Sequence, residues 1–336
     1  MEVDGAVVIE KVAGKSAVSR CFSKYPIKFI IPRKVGPSKT DAIWIYTLNY
    51  GGGIVSGDSI SCELTVKDGC TAALTTQSST KVYKSRGEER SEQLLEARIG
   101  SDALLAVLPD PVTCFATARY AQKQVFRVDS GSSLVLVDWF TSGRHGRGEI
   151  WEFNLFKSTN QIFLEDGHPL FFDTVLLEQG STNSIIERMH GYQVIAMVVI
   201  LGPRVKKVQD EVRENVKKMM SDQLYSPFTS TRGAQMNKNS DHLYAKPRII
   251  ASSSVFGPKG IGTVVRIAAM ETETVYSPSV VLLAGNLPSV VPFYSVNGSL
   301  PLLTEHPSVE YCINKVKKRS PQVIRLPYWT YIKAVD

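Results

Sequence analysis

Short strand-like segments recur about every ten residues along most of the chain, and this recurrence constrains the fold more than any other feature. Turn-forming residues separate most of these segments. The predicted strands are residues 43–48, 60–66, 71–76, 92–99, 104–108, 122–128, 134–140, 150–156, 170–177, 193–201, 248–256 and 262–270. With almost no helix between them, they predict a mainly β protein. Periodicity alone does not distinguish a sandwich, a barrel and a β-solenoid.

One segment has helical periodicity instead. After Pro203, which suits the first turn of a helix, apolar residues recur at steps of three and four at Val205, Val208, Val212 and Val216. This pattern predicts an amphipathic helix over residues 203–224, with its valines packed on the sheet or lying in the groove of a partner. A shorter helix is predicted over residues 277–285.

The length of 336 residues and the hydrophobic fraction of 43% allow one large core. The polar stretches 180–184 and 226–240 have loop length, so we interpret them as connections within a single domain spanning residues 1–336. The longest apolar run, 194–201, has eight residues, far fewer than the roughly 18 of a membrane helix, and is predicted to be a buried strand. The N-terminus lacks the basic and apolar segments of a secretion signal.

The net charge of +7 raises the question of nucleic-acid binding. The basic residues are poorly clustered, however, and the densest run, at residues 315–319, is typical of a solvated face. No aromatic-interleaved RNA-binding motif is present, and a surface for an acidic protein partner fits the charge equally well. Five cysteines, an odd number without Cys-x-x-Cys spacing, indicate reduced thiols in a cytosolic protein.

A glycine-rich turn, Asn-Tyr-Gly-Gly-Gly-Ile-Val-Ser-Gly-Asp over residues 49–58, precedes the second predicted strand. Its spacing matches part of a phosphate-binding loop, but Asp58 replaces the lysine and would repel phosphate. Ile60, Cys62 and Leu64 then alternate with polar residues, which indicates a strand and not the helix that such a loop requires. Nucleotide binding is therefore disfavoured.

Together with a second segment, Leu-Thr-Thr-Gln-Ser-Ser-Thr-Lys-Val-Tyr over residues 74–83, this turn resembles the urease accessory protein D family. The likeness covers at least residues 40–180, with further matches at residues 108–111 (Leu-Pro-Asp-Pro), Phe115, Asp138, Gly143, Arg144, Gly148 and Glu149. Residues 21–26 and 141–145 are similar to the plant branch of that family. Each motif is weak alone, whereas their order and spacing together are specific.

The resemblance implies a β-helix-like fold of many strands with about two α-helices, and a non-enzymatic factor in urease maturation. Members of the family bind apo-urease and recruit urease accessory protein F and, through it, accessory protein G, a nickel-carrying GTPase. They help to install the nickel centre of urease. The resemblance further implies a cytosolic protein that has no tightly bound cofactor and conducts transient Ni²⁺ through a water-filled passage.

The resemblance also assigns residues to that passage and to the motif that shapes it. Spaced oxygen ligands bind a divalent cation weakly enough for it to move on, and the expected ones are Asp58, Thr75, Thr76, Gln77, Thr80, Asp138, Glu149 and Asp173. The structural motif comprises Gly52, Gly53, Gly57, Lys81, Tyr83 and Arg144. Bacterial relatives tend to have a glutamate followed by arginine where this chain has Asp173 and Thr174.

Asp138 follows an apolar segment and shares a face with Leu134 and Leu136 if the strand alternation holds. Burying a carboxylate there is costly unless it is paired or hydrated. The two interpretations are an ion pair with Arg144 or Arg147 and a position in the wet passage. A tight nickel store is disfavoured, because the chain lacks dense histidine or cysteine.

Enzymatic alternatives have weak support in the sequence. The five histidines are scattered; His145 and Glu149 lie among glycines that predict a turn, and His168 lies in a predicted exposed turn. No Gly-x-Ser-x-Gly elbow is present. The remaining alternative is a β-solenoid carbohydrate-active enzyme, in which two carboxylates roughly 5 to 9.5 Å apart would act as acid and base.

Overall fold

Two stacked β-sheets form the body of the molecule, and one long helix covers the outer face of the second sheet. The structure, a computed structural model, describes residues 3–32, 41–180, 183–225, 247–272 and 275. The helices are α1 (Ile185–Met189) and α2 (Lys206–Tyr225). The strands are β1 (Gly5–Val12), β2 (Lys15–Ser23), β3 (Ile27–Ile30), β4 (Ile43–Asn49), β5 (Ser59–Val66), β6 (Thr71–Thr76), β7 (Thr80–Val82), β8 (Ser91–Ile99), β9 (Leu104–Leu108), β10 (Val112–Cys114), β11 (Arg119–Val128), β12 (Ser133–Thr141), β13 (Leu155–Leu164), β14 (Pro169–Glu178), β15 (Val194–Leu201), β16 (Ile249–Phe256) and β17 (Gly262–Ala269).

The chain winds in successive coils that contribute strands to both sheets. Sheet I has the order β14-β13-β11-β8-β5-β1-β2, and sheet II has the order β16-β17-β15-β12-β9-β6-β4-β3; the short strand β10 also pairs with β12, and β7 pairs with β10. From β4 to β13 the long strands alternate between the sheets, and neighbouring strands from these coils run parallel. The prediction of a mainly β, β-helix-like fold is therefore confirmed.

Apolar side chains from the inner faces of both sheets fill the space between them, because alternate residues of a strand point to the same face. Phe126 of sheet I packs there with Leu134 and Leu136 of sheet II, whereas the intervening Val135 faces the outer side of sheet II. The next inward residue of β12 after Leu136 is Asp138, as predicted. A carboxylate thus enters the space between the sheets at this level.

Helix α2 packs on the outer face of sheet II. A 3-10 turn, Pro203–Val205, leads into it, and its buried stripe consists of Val205, Val208, Val212 and Val216. The fully buried Gln209 donates hydrogen bonds from its side-chain amide to the carbonyls of Gly202 and Ile261 at 3.3 and 3.0 Å. The predicted helix is confirmed, and so is the interpretation that its valines pack on the sheet.

The strand predicted over residues 150–156 is wrong, because β13 begins at Leu155 and continues to Leu164. Trp151 has a φ of +57°, which a strand does not allow. Trp151 and Phe153 belong to a separate buried group, the aromatic end cluster, which also contains Val82, Cys114, Tyr120, Phe140 and Phe156. The apolar composition of this segment therefore reflects burial of irregular chain and not strand pairing.

Strands β1 to β3, the short strands β7 and β10, and helix α1 are not predicted by the sequence pattern. The helix predicted over residues 277–285 lies outside the described residues. The apolar run 194–201 forms β15, which confirms the predicted buried strand. Within the described part of the chain, no helix combines the length and apolarity that crossing a bilayer requires. The thiols of Cys21, Cys62, Cys70 and Cys114 are free, and the last three are buried.

Candidate functional site

The glycine-rich turn lies against β7, so that the two sequence motifs form one unit. Ile54 makes a parallel bridge with Val82, and its N–H donates to the carbonyl of Lys81 at 2.8 Å. The N–H of Tyr83 donates to the carbonyl of Ile54 at 2.9 Å, and its hydroxyl donates to the carbonyl of Gly51 at 3.0 Å. Hydrogen bonds thus bring together two segments that the sequence separates.

Glycine is required in this turn for two physical reasons. Gly52 and Gly57 have φ values of +75° and +82°, a region that residues with a Cβ avoid. Gly53 has an extended backbone, but a Cβ there would lie 2.5 Å from the carbonyl oxygen of Lys81. The turn therefore approaches β7 more closely than any other residue type would allow.

A cavity of about 80 Å³ lies between the sheets. It is several times larger than the roughly 10–15 Å³ that one water molecule needs. Apolar surface forms most of its wall, and the polar or charged residues that line it are Thr47, Glu63, Thr75, Thr76, Thr80, Gln93, Asp110, Gln122, Lys123, Gln124 and Asp138. Four of the residues that the sequence assigns to a passage, Thr75, Thr76, Thr80 and Asp138, are therefore brought to one cavity.

A second cavity, of about 50 Å³, adjoins the first on the side of the glycine-rich turn. Residues that line both cavities are Ile27, Thr47, Thr76, Thr80 and Gln93. The second cavity is also lined by Gln77, Lys81, Gly52 and Gly53. The glycine motif thus lies on the outer side of the second cavity, and the shared residues lie between it and the larger cavity that Asp138 lines.

Threonine hydroxyls on this wall are held in place by backbone groups. The Oγ1 of Thr75 donates to the carbonyl of Leu108 at 2.7 Å, and the Oγ1 of Thr76 accepts from the N–H of Asp110 at 2.8 Å. The Oγ1 of Thr47 donates to the carbonyl of Thr75 at 2.9 Å. A hydroxyl oxygen has two lone pairs, so these fixed oxygens retain capacity for a further contact.

Asp138 is the buried carboxylate of the site, with 8% of its surface exposed. Its Oδ1 accepts a hydrogen bond from Nε2 of Gln122 at 2.6 Å. Its Oδ2 accepts from Oγ of Ser158 at 2.5 Å and from Nδ2 of Asn160 at 2.6 Å. All three donors are neutral, so they hydrogen-bond both carboxylate oxygens without neutralising the charge.

These surroundings determine the electrostatics of the site. Burial raises the pKa of the Asp138 carboxyl above its usual range, and the three hydrogen bonds offset part of that rise. The ion pair of Asp138 with Arg144 or Arg147 is a wrong interpretation, because Arg144 binds Glu149 and Arg147 is exposed. Among the described residues, no cationic side chain contacts Asp138.

Asp58, Glu149 and Asp173, also assigned to the passage, line neither cavity, and the first two bind turns instead. The Asp58 carboxylate accepts a hydrogen bond from the N–H of Val55 at 2.8 Å. Glu149 accepts from Nε of Arg144 at 2.8 Å and from the N–H of Ala116 at 3.2 Å. The hydrogen bond from Arg144 lowers the pKa of the Glu149 carboxyl below its usual range. Both carboxylates therefore stabilise local chain conformation.

Asp173 lies on β14 at the edge of sheet I, in register with Asn160 of β13. Its Oδ1 lies 2.5 Å from Nη2 of Arg266, which belongs to β17 of sheet II. The ion pair thus links the two sheets at their edge, and the charge of Asp173 contributes to the raised pKa of Asp138. Asp173 therefore pairs with a guanidinium from a distant strand. The residue that follows it, Thr174, has no positive charge to provide.

The site offers oxygen atoms at separated positions. Within the described ranges, no group of three or more His, Cys, Asp or Glu side chains is positioned to hold a metal ion. Carboxylate, hydroxyl and amide oxygens at spaced positions suit weak, partly hydrated contacts with a divalent cation. Gln122, Ser158 and Asn160 were not predicted as site residues, because polar residues alternating along a strand usually indicate a solvent-facing side.

Comparison with known proteins gives consistent matches along the described fold. Residues 4–278 match the family model described as UreD urease accessory protein. The urease accessory protein D of Arabidopsis thaliana is 61% identical over 273 residues, which cover 81% of this chain and 92% of that protein. The protein of the same name from Oryza sativa subsp. japonica is 56% identical over 289 residues, covering 86% and 92%. A urease accessory protein UreD from Anaeromyxobacter is 40% identical over 212 residues, covering 63% and 69%.

Proposed function

Because the chain belongs to the family of UreD urease accessory proteins and so has a role in urease maturation, we propose that it conducts Ni²⁺ to urease through the two adjoining cavities between its sheets. The cation is a transient cargo in this account. The protein acts as a non-enzymatic scaffold in the cytosol, where it binds apo-urease and the urease accessory proteins F and G.

The observation that carries the proposal is the buried carboxylate of Asp138 beside the cavity of about 80 Å³. Burying a charge among neutral donors costs free energy that the hydrogen bonds recover in part. An apolar side chain at this position would serve stability better. A passing divalent cation accounts for the carboxylate, because its charge offsets the desolvation of Asp138 while it is there.

The polar residues divide the route into short steps. Gln77 belongs to the outer cavity, Thr76 and Thr80 line both cavities, and Asp138 lies at the inner cavity. Each position offers few oxygen atoms, so a cation keeps most of its water ligands and binding stays weak. Weak, spaced contacts are what conduction requires, since a tight site would retain the metal.

We assign Asp58 and Glu149 to the shape of the site and not to contact with the cation. Asp58 closes the glycine-rich turn through the N–H of Val55, and Glu149 binds Arg144. Substitution of either residue is therefore expected to act through the conformation of its turn. Asp173 remains in the proposed route, because its register partner Asn160 donates directly to Asp138.

The test is nickel loading of apo-urease in an assembly reconstituted with the accessory proteins. Asp138→Ala is compared with Asp129→Ala, a matched control whose carboxylate binds Ser101 and lines neither cavity. We expect Asp138→Ala to co-purify with its partners and to lower the rate of nickel loading about tenfold, equivalent to about 1.4 kcal/mol. Normal loading by this variant would contradict conduction and leave the scaffold role intact.

A further inference from the structure

The two sheets meet at an edge where β14 of sheet I lies against β16 and β17 of sheet II. At this seam, the ring of Phe171 packs on Phe256 with centroids 4.8 Å apart. Further along β14, the inward-facing Val175 packs on the aromatic end cluster. Between these two apolar contacts, the inward-facing residue is Asp173, which pairs with Arg266. An ion pair therefore interrupts an apolar seam.

The interruption lies at the level of the buried carboxylate. In sheet I, Asn160 is the register partner of Asp173, and its amide donates to Asp138. In sheet II, Asp138 pairs in register with Met197, which pairs with Arg266. Two strand spacings of about 4.8 Å separate Asp138 from Arg266 across the sheet. Met197 is buried and apolar, so the polar row lies in sheet I, where the register partners Gln124, Asn160 and Asp173 run from the inner cavity to the ion pair at the edge.

We propose that Arg266 controls a second opening of the nickel passage at this seam, and that the Asp173–Arg266 ion pair closes it. This inference rests on the proposed function, because a passage needs a place of entry and a place of exit. The outer cavity reaches the glycine-rich turn, where Gly52 is exposed. The proposed second opening is the seam, at the other end of the polar row.

Competition for one carboxylate is the physical basis of the control. The side chain of Asp173 is 13% exposed, whereas that of Arg266 is 51% exposed, so the guanidinium can move into solvent while the carboxylate stays in place. A divalent cation that reaches Asp173 repels the guanidinium and replaces it as the counter-ion. When the cation has left, the ion pair forms again and separates the polar row from solvent.

The experiment challenges nickel transfer with EDTA, which removes Ni²⁺ that escapes into solvent. Reconstituted assemblies containing the wild type, Arg266→Ala, Arg266→Lys or Asp173→Asn load apo-urease with and without the chelator. The control is Arg248→Ala, because Arg248 forms an exposed ion pair with Glu271 at 2.6 Å near the other end of β16 and β17. Co-purification with the partners verifies that each variant is folded and assembled.

We expect EDTA to lower loading by Arg266→Ala and Asp173→Asn about two- to fivefold more than loading by the wild type, as the modest strength of a partly exposed ion pair implies. Arg266→Lys, which retains the positive charge, and Arg248→Ala should resemble the wild type. Equal chelator sensitivity of the wild type, Arg266→Ala and Asp173→Asn would overturn the proposal, as would the same loss in Arg248→Ala.

A parallel Asp138→Ala assembly separates failure of this inference from failure of the proposed function. If Asp138→Ala lowers loading while Arg266→Ala and Asp173→Asn keep the chelator resistance of the wild type, conduction between the sheets is supported and the seam is not an opening of the passage. If Asp138→Ala loads urease normally, conduction between the sheets is wrong and the control by Arg266 is wrong with it.

Discussion

The amide of Asn160 in sheet I donates a hydrogen bond to the carboxylate of Asp138 in sheet II, with Nδ2 2.6 Å from Oδ2. Both Asn160 and Ser158, which donates to the same oxygen, are 1% exposed. A charged group thus joins the two sheets, whereas apolar side chains fill the neighbouring space between them. The hydrogen bonds fix the carboxylate in position, and the effect of this buried charge on the stability of the protein can be measured.

Asparagine at position 138 removes the buried charge and nearly preserves the side-chain shape. Because burial raises the pKa of the Asp138 carboxyl in the folded state, the folded protein binds this proton more tightly than the unfolded chain does. The unfolding free energy of the wild type should therefore fall, relative to that of Asp138→Asn, as pH rises from about 4 through the folded-state pKa. Urea denaturation of both proteins across this range measures the difference. A difference that does not change with pH would contradict the assignment.

The pair formed by Arg144 and Glu149 should respond to pH in the opposite direction. The hydrogen bond from Arg144 holds the pKa of the Glu149 carboxyl below its ordinary value of 4.5. Its contribution to stability is present above that value and is lost as pH falls through the folded-state pKa. Arg144→Ala should therefore unfold at a lower urea concentration than the wild type at pH 7, and the gap should narrow in acid. The exposed Arg147 provides the control variant Arg147→Ala, and an equal effect of both substitutions would count against the pair.

Gly53→Ala should destabilise the turn through a steric clash. The added Cβ would lie 2.5 Å from the carbonyl oxygen of Lys81, and relief of such overpacking typically costs about 1–3 kcal/mol. Gly146→Ala is the matched control, because its Cβ would meet no atom within 4 Å and its effect should stay within about 0.5 kcal/mol. Chemical denaturation compares the two variants. Equal stability would mean that the turn does not approach β7 so closely.

The valine stripe of α2 should matter for stability and not for nickel transfer. Val212 is 1% exposed against sheet II, so Val212→Ala is expected to lower the free energy of unfolding by about 1–3 kcal/mol. Lys217→Ala, on the exposed side of the helix, should change it by less than about 0.5 kcal/mol. Denaturation measures the effect of each substitution on stability. Urease loading, at a temperature where both variants are folded, measures the effect on nickel transfer. A loading defect specific to Val212→Ala would indicate a partner contact.

Local periodicity was sufficient to predict α2 and most of the long strands after β3, because each of these elements buries a continuous face of its own residues; β1 was missed, and β13 was placed too early in the chain. Strand β2 is mostly exposed and β3 has four residues, so neither carries a clear apolar alternation. Helix α1 has five residues, too few for a helical period. Its capping box, formed by Ser184 and Glu187, is a local signal that could have identified it.

The site was less predictable than the fold, because its contacts join distant parts of the chain. Arg266 lies 93 residues from Asp173, and Asn160 lies 22 residues from Asp138. The pairing of β13 with β11 and β14, and its position opposite β12, bring these side chains together. Alternation along a single strand shows that two residues share a face, but not whether that face meets solvent or another sheet.

The most direct test of conduction between the sheets is a reversible block of the cavity. Thr76→Cys places a thiol where both cavities meet, and a small methanethiosulfonate reagent attached to it would fill the space. The wild type treated in the same way is the control, since its exposed Cys21 also reacts. We predict that modified Thr76→Cys loses nickel loading of apo-urease and regains it when a reductant removes the label. Full loading by a protein whose modification at position 76 is verified by mass spectrometry would contradict the account.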